Sequence, residues 1–161
     1  MGEAALSLGS NVGDSLAALR CAVSLISERI GAVTSRSRVY ETAPWGRTDQ
    51  PYFMNACVVS ATSLPPLDLL DEAKAIEREM GRAERERWGP REIDIDIIFY
   101  DDLVLNDQRL KIPHPLMEVR GFVMIPLLEA APGWRHPIYG WTVAEFARGM
   151  DAPGVTPKAA L

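Results

Sequence analysis

Two aspartates spaced two residues apart are the strongest chemical signal in the sequence. They lie in the segment EIDIDIIFY at residues 92–100, where Asp94 and Asp96 alternate with isoleucines. Side chains alternate between the two faces of a strand, so this spacing puts both carboxylates on one face. Two such carboxylates can hold Mg²⁺ together, and Mg²⁺ usually binds with substrate phosphates. The alternative interpretation is the solvated face of an edge strand.

An arginine-rich loop directly precedes this strand. Residues 81–91 read GRAERERWGPR, and together with Arg78 they hold five arginines. Guanidinium groups donate paired hydrogen bonds to phosphate oxygens, so arginines beside a metal-binding acidic pair suit a triphosphate ligand. Trp88 offers a flat surface for a ring, and a Gly-Pro step turns Arg91 towards Asp94. The alternative is a loop held by its own ion pairs, because two glutamates interleave with the arginines.

A polar side chain interrupts a second apolar segment. Asn55 lies within FMNACVV at residues 53–59 and shares a strand face with Phe53. A buried amide must be hydrogen-bonded, and an amide beside an aromatic ring suits the polar edge of a flat heteroaromatic ligand. The alternative is an asparagine bonded to neighbouring backbone. Trp45 and Tyr52, in the loop before this strand, form either a lid over such a ligand or a hydrophobic plug.

His114 is one of only two histidines, and it lies in KIPHPLM. Its position near Arg109 and Arg120 suits a phosphate contact, although a lone histidine is also often structural. The early GSNVGD segment matches neither the P-loop nor the dinucleotide-binding glycine pattern, and it is typical of a turn that caps a helix.

The elements that must position these residues follow from hydrophobic periodicity and from Gly and Pro punctuation. Their order is β-α-β-β-α-β, which predicts an α+β, ferredoxin-like core: an antiparallel sheet with helices packed on one face, plus a C-terminal hairpin and helix. The predicted elements are strands at 4–8, 33–40, 53–61 and 92–100, helices at 16–30, 66–80 and 115–130, and a hairpin at 102–113.

Composition bounds the class of protein. The chain has 161 residues, 47% of them hydrophobic, which suits a single domain over residues 1–150 with a loose tail at 151–161. A net charge of −5 disfavours nucleic-acid binding. No apolar run approaches the ~20 residues that span a bilayer, so we expect no membrane contact. Cys21 and Cys57 lie in apolar segments, which favours reduced thiols in a cytoplasmic protein.

Four motifs together resemble one enzyme family. They are the early GSN, the segment TAPWGRTDQPYFMNA, RWGPREIDID, and IPHPLM followed by RGF. This combination is similar to 6-hydroxymethyl-7,8-dihydropterin pyrophosphokinase over about residues 4–147. The resemblance implies a monomeric enzyme of folate biosynthesis that transfers pyrophosphate from ATP to the hydroxymethyl group of the dihydropterin and releases AMP.

The resemblance also implies which residues act. Catalysis is expected from Arg82, Arg91, Asp94 and Asp96, and the two aspartates are expected to hold two Mg²⁺ ions. The residues expected to bind ATP are Glu77, Arg82, Trp88, Arg91, Ile97, Arg109, Ile112, His114 and Arg120. The pterin is expected to lie between Phe122 and the 41–53 segment, with Asn55 hydrogen-bonded to its polar edge. The residues expected to bind the pterin are Thr42, Ala43, Pro44, Trp45, Phe53, Asn55, Trp88, Asp94 and Phe122.

Two other functions are compatible with this fold. A ferredoxin-like RNA-recognition domain would need ring residues on its central strands and a basic sheet face, whereas this chain is acidic and carries aspartates there. A Mg²⁺-dependent ATP enzyme could also act on another acceptor. The loop at 82–91 departs from the family pattern, with Glu84 where many bacterial members carry a second arginine, so we expect altered nucleotide affinity.

Overall fold

The computed structural model describes residues 1–43, 49, 51–81 and 92–161. Within these residues the elements are β1 (Gly2–Ser10), α1 (Ser15–Arg29), β2 (Val33–Arg36), β3 (Val39–Thr42), β4 (Phe53–Thr62), α2 (Pro66–Met80), β5 (Asp94–Tyr100), β6 (Leu105–Asn106), β7 (Lys111–Ile112), a 3-10 turn (Met117–Val119), α3 (Gly121–Ala130), α4 (Val143–Ala147) and β8 (Val155–Ala159).

The central sheet is antiparallel, with strand order β5-β1-β4-β3-β8, and β2 pairs with β4 beyond the end of β3. The first five strands and two helices give the predicted ferredoxin-like order, and β6 and β7 form the predicted hairpin. The predicted strand at 33–40 is divided because Ser37 breaks the ladder. Its Oγ accepts a hydrogen bond from Cys57 N at 2.9 Å.

One face of the sheet is covered by α1 and α2, as the 3.6-residue periodicity predicts. Leu6 and Leu8 of β1 and the alternating isoleucines of β5 pack there against Leu19, Ile26, Leu69 and Ile76. The end of α1 approaches β4 closely at Gly31, where an added Cβ would lie 1.8 Å from the Ala61 carbonyl oxygen. Only glycine permits this contact.

The opposite face is covered by the C-terminal helices α3 and α4, so the predicted placement of helices on one face holds for α1 and α2 of the ferredoxin-like core and not for the added helices. A β-bulge in β5 explains the second core. Ala5 pairs with Phe99 and Leu6 with Ile97, which leaves Ile98 as the extra residue. Ile98 and Phe99 consequently both point towards α3, where they pack with residues such as Met124. The predicted helix at 115–130 is a 3-10 turn followed by α3.

The expectation of a loose tail at 151–161 is wrong for its central part. Residues 155–159 form β8, which pairs with β3 from Thr42 to Val39. Lys158 also lies 3.6 Å from the Glu41 carboxylate. Composition hid this strand because its Pro, Thr and Lys side chains are exposed and its hydrogen bonds come from a strand more than 100 residues earlier in the sequence.

A polar cluster ties α3 to β3 at the surface. Glu129 accepts hydrogen bonds from the buried Tyr40 hydroxyl at 2.6 Å and from the backbone and side chain of Arg38. Burial on its own would raise the pKa of the Glu129 carboxyl, but the hydrogen bonds from Arg38 and Tyr40 outweigh burial and hold it below its ordinary value. A carboxyl with a lowered pKa stabilises the fold above its unfolded-state pKa and loses this contribution as the pH falls through the folded value.

We therefore expect Glu129→Ala to lower the free energy of unfolding at pH 7 by about 1 kcal/mol, because the Tyr40 hydroxyl loses its acceptor. Urea denaturation at several pH values measures this effect, and the difference from the unmodified protein should shrink as the pH falls below 4.5. Glu28→Ala, at an exposed position of α1, is the control. A difference that stays constant down to acid pH would contradict the ionised Glu129 cluster.

Candidate active site

A cavity of about 390 Å³ opens at one end of the sheet, on the α3 side. Four strands and the start of α3 contribute its walls. The lining residues are Ser7, Leu8, Gly9, Thr42, Phe53, Asn55, Asp94, Asp96, Arg120 and Phe122. Its volume falls within the ~300–1,000 Å³ typical of small-molecule sites.

The floor of this cavity depends on a glycine in the central strand. Gly9 of β1 pairs with Asp94 of β5 on one side and with Asn55 of β4 on the other. Residues in one cross-strand row point to the same face, so the carboxylate and the amide stand on either side of Gly9. A Cβ added to Gly9 would lie 3.1 Å from the Asn55 side-chain oxygen. The glycine therefore keeps the space between the two polar groups open.

The amide wall is buried and hydrogen-bonded. Asn55 Nδ2 donates to Thr42 Oγ1 at 2.8 Å, and both residues are buried. This bond orients the Asn55 carbonyl towards the cavity floor at Gly9. The rings of Phe53 and Phe122, both half-buried, lie on the same cavity. An amide edge with aromatic neighbours suits a flat, hydrogen-bonding heterocycle, as the sequence predicts.

The acidic wall is formed by Asp94 and Asp96. Asp94 is half-buried and Asp96 is exposed at the cavity, opposite Ser7 of β1. Both supply hard oxygen ligands. Among the residues that the structure describes, no third His, Cys, Asp or Glu joins them to complete a metal site made of protein ligands alone. A two-carboxylate site fits Mg²⁺, which is usually bound by one or two carboxylates with water and substrate phosphates, and does not fit zinc.

Glu77 of α2 positions the acidic wall from behind. Its Oε2 accepts a hydrogen bond from Ile95 N at 2.8 Å, and its Oε1 lies 3.0 Å from Lys74 Nζ. Ile95 stands between the two aspartates on the edge strand, so Glu77 supplies the acceptor that a further strand would otherwise provide. The family resemblance predicts an ATP contact for Glu77, and the structure adds its hydrogen bond to the Ile95 backbone.

Arg120 brings positive charge to the cavity, and His114 lies near the Asp96 carboxylate. The Arg120 guanidinium lies 5.7 Å from the centre of the Phe122 ring. Burial lowers the pKa of His114, the Asp96 carboxylate opposes this shift, and the charge of Arg120 adds to it. His114 Nδ1 accepts a hydrogen bond from Leu116 N at 3.3 Å. The net effect holds the pKa of His114 below its ordinary value, which favours the neutral ring.

Of the six predicted ATP-binding residues that the structure describes, Arg120 lines this cavity and the other five, Glu77, Ile97, Arg109, Ile112 and His114, do not. Arg109 is exposed on the hairpin and forms an ion pair with Asp71 of α2. The side chains of Ile97 and Ile112 are buried in the core beneath α1 and α2. Ala43 lies at a smaller neighbouring cavity that it shares with Thr42 and Phe122. Roles for these residues stay predictions.

Five further predicted residues lie outside the described residues: Pro44, Trp45, Arg82, Trp88 and Arg91. Three cavity residues were not predicted from the sequence: Ser7 and Leu8, which belong to a strand predicted only as buried, and Gly9, which lies beyond the predicted end of that strand at residue 8. An isolated glycine within a strand often marks a close approach by a ligand or another chain segment, and that signal at Gly9 could have extended the prediction.

Comparison with known proteins agrees with this arrangement. The family model for 7,8-dihydro-6-hydroxymethylpterin-pyrophosphokinase (HPPK) matches residues 5–132. The chain belongs to this family. It is 45% identical over 141 residues to the 2-amino-4-hydroxy-6-hydroxymethyldihydropteridine pyrophosphokinase of Aquifex aeolicus, covering 88% of each chain. It is 44% identical to the enzyme of the same name from Methylorubrum extorquens, covering 96% of this chain and 98% of that one.

Solved structures agree on the fold. A Plasmodium falciparum HPPK-DHPS crystal structure superposes with a TM-score of 0.74 at 20% identity, over 91% of this chain. The present chain spans 44% of that longer protein. The predicted family, the α+β fold and the pyrophosphokinase function are thus confirmed, and the RNA-recognition and other-acceptor alternatives are set aside. In the described part of the chain, every helix is too short or too polar to span a bilayer.

The hydrogen bond from Ile95 N to Glu77 provides a test of how the two aspartates are positioned. We expect Glu77→Ala to lower kcat roughly tenfold, because freeing Ile95 N shifts the strand that carries both aspartates. Glu77→Gln keeps an acceptor for Ile95 N and should retain most of kcat. Steady-state kinetics with Mg²⁺ titration measures both variants. Equal losses in the two variants would contradict positioning through the backbone bond.

Proposed function

We propose that this protein transfers the pyrophosphoryl group of ATP to 6-hydroxymethyl-7,8-dihydropterin in a Mg²⁺-dependent reaction, using the cavity between β5, β1, β4 and α3. The observation that carries this proposal is the row Asp94–Gly9–Asn55. It puts a metal-binding carboxylate and a buried amide on opposite sides of one open floor. A heterocycle bound at the amide would then present its substituent towards metal-bound phosphates.

On the pterin side, binding would come from shape and from one buried polar edge. Asn55, fixed by Thr42, would pair with the amide-like edge of the pterin ring. Phe122 and Phe53 would contact the ring. A buried polar group that loses its partner costs free energy, so this wall would discriminate against rings that lack the matching donors and acceptors.

On the nucleotide side, Asp94 and Asp96 would hold two Mg²⁺ ions. When bound, Mg²⁺ neutralises phosphate charge and fixes the phosphates for in-line displacement. Arg120 and neutral His114 would contact phosphate oxygens, as would Arg82 and Arg91 of the preceding loop. Arg109 and Glu77 would lie towards the nucleotide, with Ile97 and Ile112 at its base, and Trp88 would close over the site.

The reaction balances without a covalent enzyme intermediate. The hydroxymethyl oxygen attacks the β-phosphorus, the bond from that phosphorus to the oxygen bridging the α- and β-phosphates breaks, and AMP leaves with that oxygen. The hydroxyl proton is released, and Asp96 is our candidate to receive it. Catalysis by this chain would consist mainly of positioning and charge neutralisation.

We also propose that the protein is a monomeric, cytoplasmic enzyme with a single domain. This domain comprises the residues 1–150 predicted from the sequence together with strand β8. The free cysteines are compatible with the reducing compartment that we propose. Both cysteines are free, and burial raises the pKa of Cys57 to about 12, so this thiol is unreactive.

A turnover assay that separates AMP from ADP tests the reaction directly. With ATP, Mg²⁺ and 6-hydroxymethyl-7,8-dihydropterin, we expect AMP and the pterin diphosphate in equal amounts, and no product when EDTA removes the metal. Formation of ADP would contradict pyrophosphoryl transfer. Product formation in EDTA would contradict the metal site.

The aspartates are tested by isosteric substitution. We expect Asp94→Asn and Asp96→Asn each to lower kcat by roughly 10²–10³-fold, because each removes charge that balances the transferred phosphates. Asp102→Asn, at an exposed turn outside the cavity, is the matched control and should leave kcat unchanged. Circular dichroism would check that all three variants fold. Near-normal kcat in either cavity variant would contradict the assignment.

A further inference from the structure

We infer that the C-terminal segment, residues 151–159, positions the pterin side of the site. This inference rests on the proposed function, because it assigns the amide wall and the Phe122 ring to the pterin. The segment contacts the supports of both walls, Thr42 of β3 and the start of α3. It would therefore set the width of the pterin pocket without taking part in phosphoryl chemistry.

The first contact reaches the amide wall through the backbone. Val155 of β8 pairs with Thr42, the last residue of β3. The Thr42 hydroxyl accepts the hydrogen bond that orients Asn55, and the Thr42 side chain is buried. β3 ends at Thr42 and lies between β4 and β8, so β8 is the neighbour that holds this strand end on its outer side.

The second contact reaches the aromatic wall through α3. Gly121 is the first residue of α3 and precedes Phe122. A Cβ added to Gly121 would lie 2.9 Å from Ala152 Cβ and 3.6 Å from Val155 Cγ2. Real Cβ atoms do not approach as closely as the first distance. The segment thus packs directly on the start of α3 only because residue 121 is glycine.

Between these two contacts lies a small cavity of about 270 Å³ beside the main one. Thr42 and Phe122 border both cavities, and the outer wall of the small one is formed by the C-terminal segment, including Ala152 and Val155. One short segment therefore spans the gap between the amide wall and the aromatic wall. A change in its seating alters the separation of Thr42 from Phe122.

A single methyl group tests this arrangement. Gly121→Ala should displace Ala152 and the start of α3 by several tenths of an ångström, which changes the fit of the pterin against Phe122, so we expect the pterin KM to rise roughly tenfold. Asp94 and Asp96 are on β5, away from this contact, so kcat should change less than about twofold. Arg120 precedes Gly121 and caps α3, so the KM for ATP should rise as well, but less than the pterin KM, because the aspartates are not displaced.

Rescue distinguishes positioning from general damage. Ala152→Gly removes the atom that the new methyl group would meet, so Gly121→Ala combined with Ala152→Gly should restore the pterin KM. Gly133→Ala is the matched control, because an added Cβ there meets no atom within 4 Å. It should leave both KM values unchanged. Calorimetric titration of the pterin with α,β-methylene-ATP and Mg²⁺ present gives the same comparison without turnover.

The outcomes separate the two proposals. Unchanged pterin affinity in Gly121→Ala, equal increases in both KM values, or a double variant no better than the single one would overturn the inference while leaving the proposed function intact. Absence of AMP formation and of pterin binding in the unmodified protein would overturn both.

Discussion

The absence of a side chain at one position of the central strand is the constraint on which the site depends. Gly9 is the only residue between Asp94 and Asn55 in their cross-strand row. Neighbouring strands lie about 4.8 Å apart, so the carboxylate-bearing and amide-bearing strands are separated by about 10 Å. Any side chain at Gly9 would occupy that interval and press on Asn55. The sheet thus sets the separation between metal-binding and heterocycle-binding groups, and the helices only enclose it.

The two faces of the sheet have different roles because the bulge in β5 changes which of its side chains point to each face. Before the bulge, isoleucines face α1 and α2 while aspartates face the cavity, and after it Ile98 and Phe99 pack beneath α3. One strand can therefore present two carboxylates at one end and fill an apolar core at the other, on the same face. This division lets α3 pack firmly on the sheet while its first turn reaches the cavity with Phe122.

Sequence periodicity predicted most of the ferredoxin-like core because its signals are local. The apolar spacing of α1 and α2 and the Ile/Asp alternation of β5 are readable within one element. The break at Ser37, the bulge at Ile98 and strand β8 arise from pairing with distant strands, so their own segments carry little trace of them. For the site, Asp94, Asp96 and Asn55 were predictable as polar residues in apolar strands. Gly9 has no side chain to signal chemistry.

Closure of both sheet edges has a consequence for behaviour at high protein concentration. On the β5 edge, Glu77 takes the Ile95 N–H and His114 N donates to the Ile98 carbonyl, so side chain and loop replace a further strand. On the other edge, β8 carries Pro157 and the charged Lys158. Unprotected edges invite strands from other molecules, and prolines and lysines are common deterrents. The contacts that organise the site on one edge thus also protect the folded chain from intermolecular sheet extension and aggregation.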